Sequence, residues 1–517
     1  MLAISGLGFA LSVHFGLIGG PQFTEGLVVS ERPMSLDPLV GASDPAVVDV
    51  GHLLYRPLLK LDSAGYPATD LAESYSVSTN GLVYTIVLRP NLEWSNGAPI
   101  TTADVVATDI FALSAQAGDP TLTTALKGVR VASSPSTVIF TLPAPRSSFA
   151  ATLTQMPILP LGGLSPAALL SAEEHPTSPL PTSGPYDVQS TSELAVVLQP
   201  NPHAVAHPAI KSYELRLFVT FTDAAYAFSQ GSVGAVLAST PEELSTLMAV
   251  KGAQAESVTT PEFVDLLFNE RLPTLAAAAV RHAIGIAINR SAIVAGALNG
   301  RGGVIQTGPY SAGIPWIGPP AREAIPASDA ASMLQTSGWV PGVDGIRQNG
   351  SQRLAFTLAV PDINPLPVVA REVATQLAAI GVQVTVDPVA PASFLTGTLA
   401  SGHFELALDV WNPVPDPDVS AFWRSNAVPP HGYNVSGAAP DAFLDAALDM
   451  LAESPDRAVR ISSAAQVAAL VAADAPAVFL YTPKVSVVFR SPAPTAPMPS
   501  IGPESSRYDD IALWELH

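Results

Sequence analysis

From about Leu275 to Phe489 the chain alternates short apolar runs with amphipathic stretches, and this alternation limits the folds open to it. Leu354–Val360, Gln383–Val386 and Phe404–Trp411 read as strands, and Leu275–Ile288, Leu366–Ile380, Pro440–Glu453 and Asp456–Ala472 as helices. Ser291–Leu298 reads as a helix opened by its serine, Ser328–Thr336 as another, and Gly381 stops the helix before it. Strands interleaved with helices predict an α/β lobe with a mostly parallel sheet, because each crossover must return across the sheet face. Val478–Tyr481 and Val485–Phe489 read as two closing strands.

The first half has a different texture. Gly26–Ser30 reads as a first strand broken by Asp37-Pro38, and Pro45–Leu59 as a helix capped by Asp44 with proline at its first position. Tyr75–Ser78 and Leu82–Leu88 flank Asn80-Gly81, a hairpin signal. Thr102 opens a helix, and Val129–Val131 with Thr137–Leu142 look like a further strand pair. Glu193–Leu198, Glu214–Val219 and Phe263–Phe268 complete a β-rich series.

At 517 residues, 48% of them apolar and 13% charged, the chain exceeds what one core accommodates, so at least two lobes are expected. The net charge of −20 disfavours nucleic acid and anionic lipid as partners. There is no cysteine, which removes disulfides, thiol catalysis and thiolate zinc sites. Leu2–Gly20 is nearly all apolar, so residues 1–24 are read as an export segment or membrane anchor whose basic start is missing. A buried first strand or helix is the alternative.

Five segments in order resemble the bacterial extracellular solute-binding proteins of family 5, which serve ABC importers for oligopeptides, dipeptides and nickel. They are Leu54–Val105, with Leu71-Ala-Glu-Ser, Trp94, Gly97 and Thr102-Ala-Asp-Val in the family's order; Gly184-Pro-Tyr; Val280–Val294 (VRHAIGIAINRSAIV); Gly381 through Phe404–Leu408, Trp411 and Asp416-Pro-Asp; and Ala475–Tyr481. The resemblance implies a class II periplasmic-binding-protein-like α/β clamp with two hinged lobes and an inserted β-rich third domain. The expected division is 25–47, 183–268 and 478–517 for lobe I, 48–182 for the insertion and 269–477 for lobe II.

The resemblance also implies the function: capture of peptides outside the cytoplasmic membrane, for delivery to membrane permease subunits with their ATPases. A monomer without cofactor or metal is expected, and not an enzyme. The same clamp could instead hold an oligosaccharide, a nickel chelate or another polar solute; a hydrolase or sensor on this scaffold is a further alternative. No GxSxG, phosphate-cradling glycine loop or HExxH is present. His203 and His207 share a turn-like segment without a carboxylate partner in sequence, a weak metal signal.

Three stretches are candidate ligand contacts. Ala42, Ser43 and Asp44 match a loop that lines the cleft in peptide-binding relatives, although Asp44 also reads as a plain helix cap. Val410, Trp411 and Asn412 stand at a strand end where relatives place a tryptophan, which also reads as a core residue. Asp416, with Asp418 second, is the expected partner of a peptide α-ammonium; the alternative is a proline-rich turn whose aspartates face water. Tyr433 is a fourth candidate. The strand before Trp411 offers no arginine to a peptide carboxylate.

Overall fold

The computed structural model describes residues 22–516 apart from 33, 63–64, 115–116, 166–178, 300–302, 306–307, 311–326, 497, 499–501 and 503. Most of the expected export segment therefore lies outside the described residues. Among the described residues no helix is long and apolar enough to cross a membrane.

One sheet of 12 strands runs through the molecule. Its lobe I half places Tyr186–Thr191, Ala195–Pro200, Ser212–Phe218, Gln22–Val28 and Ala235–Ala238 side by side. Its lobe II half places Phe263–Phe268, which the expected division gave to lobe I, beside Leu406–Trp411, then Ala355–Pro361 and Gln383–Val389. The strand Ala477–Phe489 belongs to both halves: residues 477–483 pair in lobe II and residues 484–489 in lobe I. The sequence reads it as two strands, Val478–Tyr481 and Val485–Phe489; Pro483 lies in the gap between them. Proline is confined to strand edges and irregular points, and here it sits where the strand passes from one lobe to the other.

The lobe II sheet is mixed rather than mostly parallel. Ala355–Pro361, Gln383–Val389 and Leu406–Trp411 run parallel, as their helical crossovers require. Phe263–Phe268 enters from lobe I and runs against Leu406–Trp411, and the crossing strand runs against Phe263–Phe268 in turn. All six residues of Phe263–Phe268 are buried, as a strand covered on both faces must be.

Local chemistry sets the element ends. The helix opened by Asp44 stops at Leu54 rather than Leu59, because Arg56 precedes Pro57 and is steered to extended backbone. The helix expected to open at Ser291 is capped two residues earlier by Asn289, whose Oδ1 accepts from Ala292 N at 3.0 Å. Gly381 ends Leu366–Ala378 with φ +81° and Gly81 turns the hairpin with φ +68°, backbone that side chains resist.

The β-rich block carries a four-stranded antiparallel sheet, Ala72–Val77, Val83–Leu88, Thr137–Thr141 and Arg130–Ser133. One apolar core joins Tyr84, Phe140 and Phe149 of this block to Leu27, Tyr213 and Trp514 of lobe I. Lobe II buries one core on each sheet face. There Arg281, 1% exposed, meets Glu270 at 3.0 Å and Asp474 at 2.8 Å and donates to the Asp474 carbonyl at 2.6 Å. The arginine of the VRHAIG motif thus satisfies the C-terminus of helix Arg457–Asp474, where a cation is favoured.

Candidate functional site: the cleft between the lobes

Strand directions locate the cleft. The chain crosses between lobes at 260–262 and 482–484. Trp411 pairs with Phe263, so Leu406–Trp411 points its carboxyl end at the crossing, and the two strands parallel to it do the same. In lobe I, Ala238 pairs with Ser486, so Ala235–Ala238 also ends at the crossing, together with the parallel strands Gln22–Val28 and Ser212–Phe218. The carboxyl ends of both sets face one crevice, the place where open α/β sheets receive ligands.

On the lobe I side a pocket of about 390 Å³ opens at these ends, beside Ser30, Asp44, Val219, Phe221, Ser239 and Glu243. Asp44 caps its helix through Ala46 N at 3.0 Å and also accepts from Ser30 N at 3.0 Å, tying the strand exit to the helix start. Glu243 accepts from Ser239 N at 2.8 Å and Thr240 N at 3.1 Å. Asp49, deeper in the pocket, is paired with Arg507. Among the described residues no lysine, arginine or histidine lines it. Glu243, Ser239 and Phe221 escaped the sequence reading. They follow short strands whose helices were not foreseen, although Thr240-Pro-Glu-Glu243 is a capping-box pattern that could have marked one. Ser43 is exposed and Ala42 half-buried in the turn before Asp44.

On the lobe II side Trp411 is buried, 6% exposed, and its indole Nε1 donates to Asp265 Oδ2 at 3.2 Å. Its ring meets Phe422 edge-on at 4.7 Å and Tyr433 at 5.9 Å, and Tyr433 stacks on Phe422 at 5.7 Å. Tyr433 is 45% exposed, so it is the member of this trio that offers a ring face to solvent. Val410 is half-buried and Asn412 exposed. Asp416 is buried and its Oδ1 is bound by the Arg460 guanidinium and by Asp418 N at 2.9 Å. Arg460, a turn into its helix, was not anticipated, since its place in sequence gives no sign of this pairing. Asp418 caps Ser420 N at 3.1 Å, and burial pushes its carboxyl above the usual range. The structure therefore groups Trp411 with Tyr433 and Asp416 with Asp418 in lobe II, and sets Ala42, Ser43 and Asp44 in lobe I.

The family model described as "Bacterial extracellular solute-binding proteins, family 5 Middle" matches residues 67–430. The chain belongs to this family. Its fold is that of solved two-lobe clamps. NikA from Brucella suis in complex with Fe(III)-EDTA superposes with a TM-score of 0.79 at 19% identity, over 96% of this chain and 100% of that one. The oligopeptide-binding protein AppA from Bacillus subtilis, in complex with a nonapeptide, gives 0.68 at 21% identity over 96% and 99%. Protein XP55 of Streptomyces lividans is 28% identical over 354 residues, 66% of this chain and 62% of XP55, so the match spans under two thirds of that relative's length.

Proposed function

We propose that this protein captures peptides outside the cytoplasmic membrane and passes them to the permease subunits of an ABC importer, leaving them chemically unchanged. The observation that carries the reading is the charge of the cleft. The lobe I pocket holds Asp44 and Glu243 and no cationic side chain. Each of these carboxylates accepts two backbone N–H bonds and retains lone pairs for a third donor. A peptide brings an α-ammonium, which needs such a partner once it leaves water. From the opposite lobe the Tyr433 ring offers an apolar face with a polar tip, suited to varied side chains.

The likeness to NikA favours a chelate as the second reading. Fe(III)-EDTA is an anion overall, and a pocket whose Asp44 and Glu243 face no lining cation repels it. Thermal unfolding separates the two. A di- and tripeptide pool at about 100 times the dissociation constant stabilises the protein by about 2.7 kcal/mol. The expected outcome is a rise in melting temperature with peptides and none with Fe(III)-EDTA, a nickel–histidine chelate or an oligosaccharide. A rise with a chelate or sugar and none with any peptide refutes the proposal.

A further inference from the structure

The sheet face that carries Trp411 also carries two aspartates that ligand capture leaves unexplained. Asp265 and Asp409 are register partners across the antiparallel strands Phe263–Phe268 and Leu406–Trp411. Residues so opposed hold their Cβ atoms about 5 Å apart. Asp265 is 0% and Asp409 7% exposed. Asp265 Oδ2 accepts from the Trp411 indole, while its Oδ1 has no hydrogen-bond partner. Asp409 Oδ1 accepts from its neighbour Val410 N at 2.7 Å.

Among the described residues no cation acts on this pair. The crossing strand sets Phe479 beside Asp265, and the strand on the far side of Asp409 contributes Ala359 and then Pro361. The short helix Ser420–Trp423 adds Phe422 and Trp423 to the same core. The nearby acid Glu262 acts on Tyr481 instead. Burial, then the Asp409 charge, holds Asp265 well above the usual carboxylate range, with the Trp411 bond opposing; burial raises Asp409 to about 7, with the Val410 N–H opposing. Two facing carboxylates in an apolar core without a counter-ion cannot both stay ionised.

We propose that Asp265 and Asp409 share one proton, and that the pair is a positioning element for the cleft: it fixes the Trp411 indole, and peptide affinity falls when the proton leaves. The unpartnered Oδ1 of Asp265 carries the proton toward Asp409, and Oδ2 stays free to accept the indole N–H. Loss of the proton leaves two like charges between adjacent strands. The strands part, and Trp411 carries Phe422 and Tyr433 with it. The affinity part rests on the peptide-capture reading of this cleft; the proton sharing does not.

The sign follows from linkage. A carboxyl whose folded value lies above its unfolded one stabilises the fold fully below about pH 4 and loses that contribution as pH rises toward about 7. Other buried acids, such as Asp109, also raised to about 7 by burial, add to the same slope. The difference between wild type and variant is therefore the readout. In ligand-free protein, melting temperatures of wild type, Asp409→Asn and Asp265→Asn are measured from about pH 5 to about pH 8. Both variants are expected to lose part of the fall with pH and to melt above wild type at the alkaline end. Parallel profiles, or failure of both neutral variants to fold at about pH 8, overturn the proton sharing. Trialanine titrated calorimetrically at the two ends is expected to bind wild type ~10-fold more weakly at high pH and Asp409→Asn only about 2-fold more weakly, the share due to the peptide's own α-amino group. Equal pH dependence in both overturns the positioning role. If the melting profiles separate as expected and trialanine binds at neither pH, the proton sharing stands and the capture reading falls.

Discussion

Among the described residues lobe II meets lobe I at the crossing and the β-rich block elsewhere, and the two contacts are made of different material. At the crossing the two lobes share a sheet. Thr260 N and Oγ1 both donate to the Pro483 carbonyl, at 3.1 and 3.2 Å, and Gly502 N braces the Thr259 carbonyl at 3.1 Å. Away from the crossing, the β-rich block meets the turn between the last two long helices. Ser147 N donates to Ala452 O at 2.7 Å, Ser147 Oγ donates to Leu451 O at 3.0 Å, and the Arg457 guanidinium lies 3.5 Å above the Tyr66 ring. Gly81 stands so close to the Glu453 carbonyl that a Cβ there would come within 2.9 Å. The first contact is sheet backbone, lost only on unfolding. The second is a handful of bonds worth about 1 kcal/mol each. A clamp needs one joint that persists and one that can open, and these two contacts differ in the kind of bond each task requires; the variants below test that division.

The contrast breaks most visibly at Arg507. This side chain, 0% exposed, sits between Asp49, at 2.7 and 2.6 Å, and Glu25, at 3.4 Å, and anchors the C-terminal segment that braces the crossing. Arg507→Ala leaves the buried carboxylates of Asp49 and Glu25 without a counter-charge and is expected to cost about 3–5 kcal/mol. Urea denaturation should show this loss equally with and without bound peptide. The double variant Ser147→Ala with Arg457→Ala is expected to leave the free protein almost unchanged. It should destabilise the closed form by about 1–2 kcal/mol and release a bound peptide ~10-fold faster in stopped-flow measurements. If it unfolds the free protein as much as Arg507→Ala does, the division between lasting and transient contacts is wrong. The smallest effect is expected from Thr260→Val, which removes the hydroxyl bond but keeps the backbone one: under about 1 kcal/mol, the same in free and peptide-loaded protein.

The sequence disclosed local punctuation well. Asp44-Pro45, Asn80-Gly81 and Gly381 each carry a backbone requirement that few residues meet, and each does what its chemistry demands. The crossing strand was harder to foresee, since Pro483 argues for a break in any strand considered alone. Its continuity is imposed by partners on both sides, which no local pattern carries. The cleft divides in the same way. Trp411 and Tyr433 were candidates by likeness to a family, and the fold packs them into one aromatic cluster. Asp265 lay hidden inside an apolar run, FVDLLF, where its meaning depends on a register partner 144 residues away (409 − 265). Glu243 was missed with its short helix, and Arg460 because helix spacing makes it an ordinary surface charge until tertiary packing sets it against Asp416.

A strand held in common also dictates the order in which the chain can finish folding. Gln22–Val28 emerges early, yet the sheet to which it belongs is completed by residues 484–489, and its core by Tyr508 and Trp514. Whichever way the polypeptide is threaded out, its beginning must wait for its end, with half-made apolar faces needing protection in the interval.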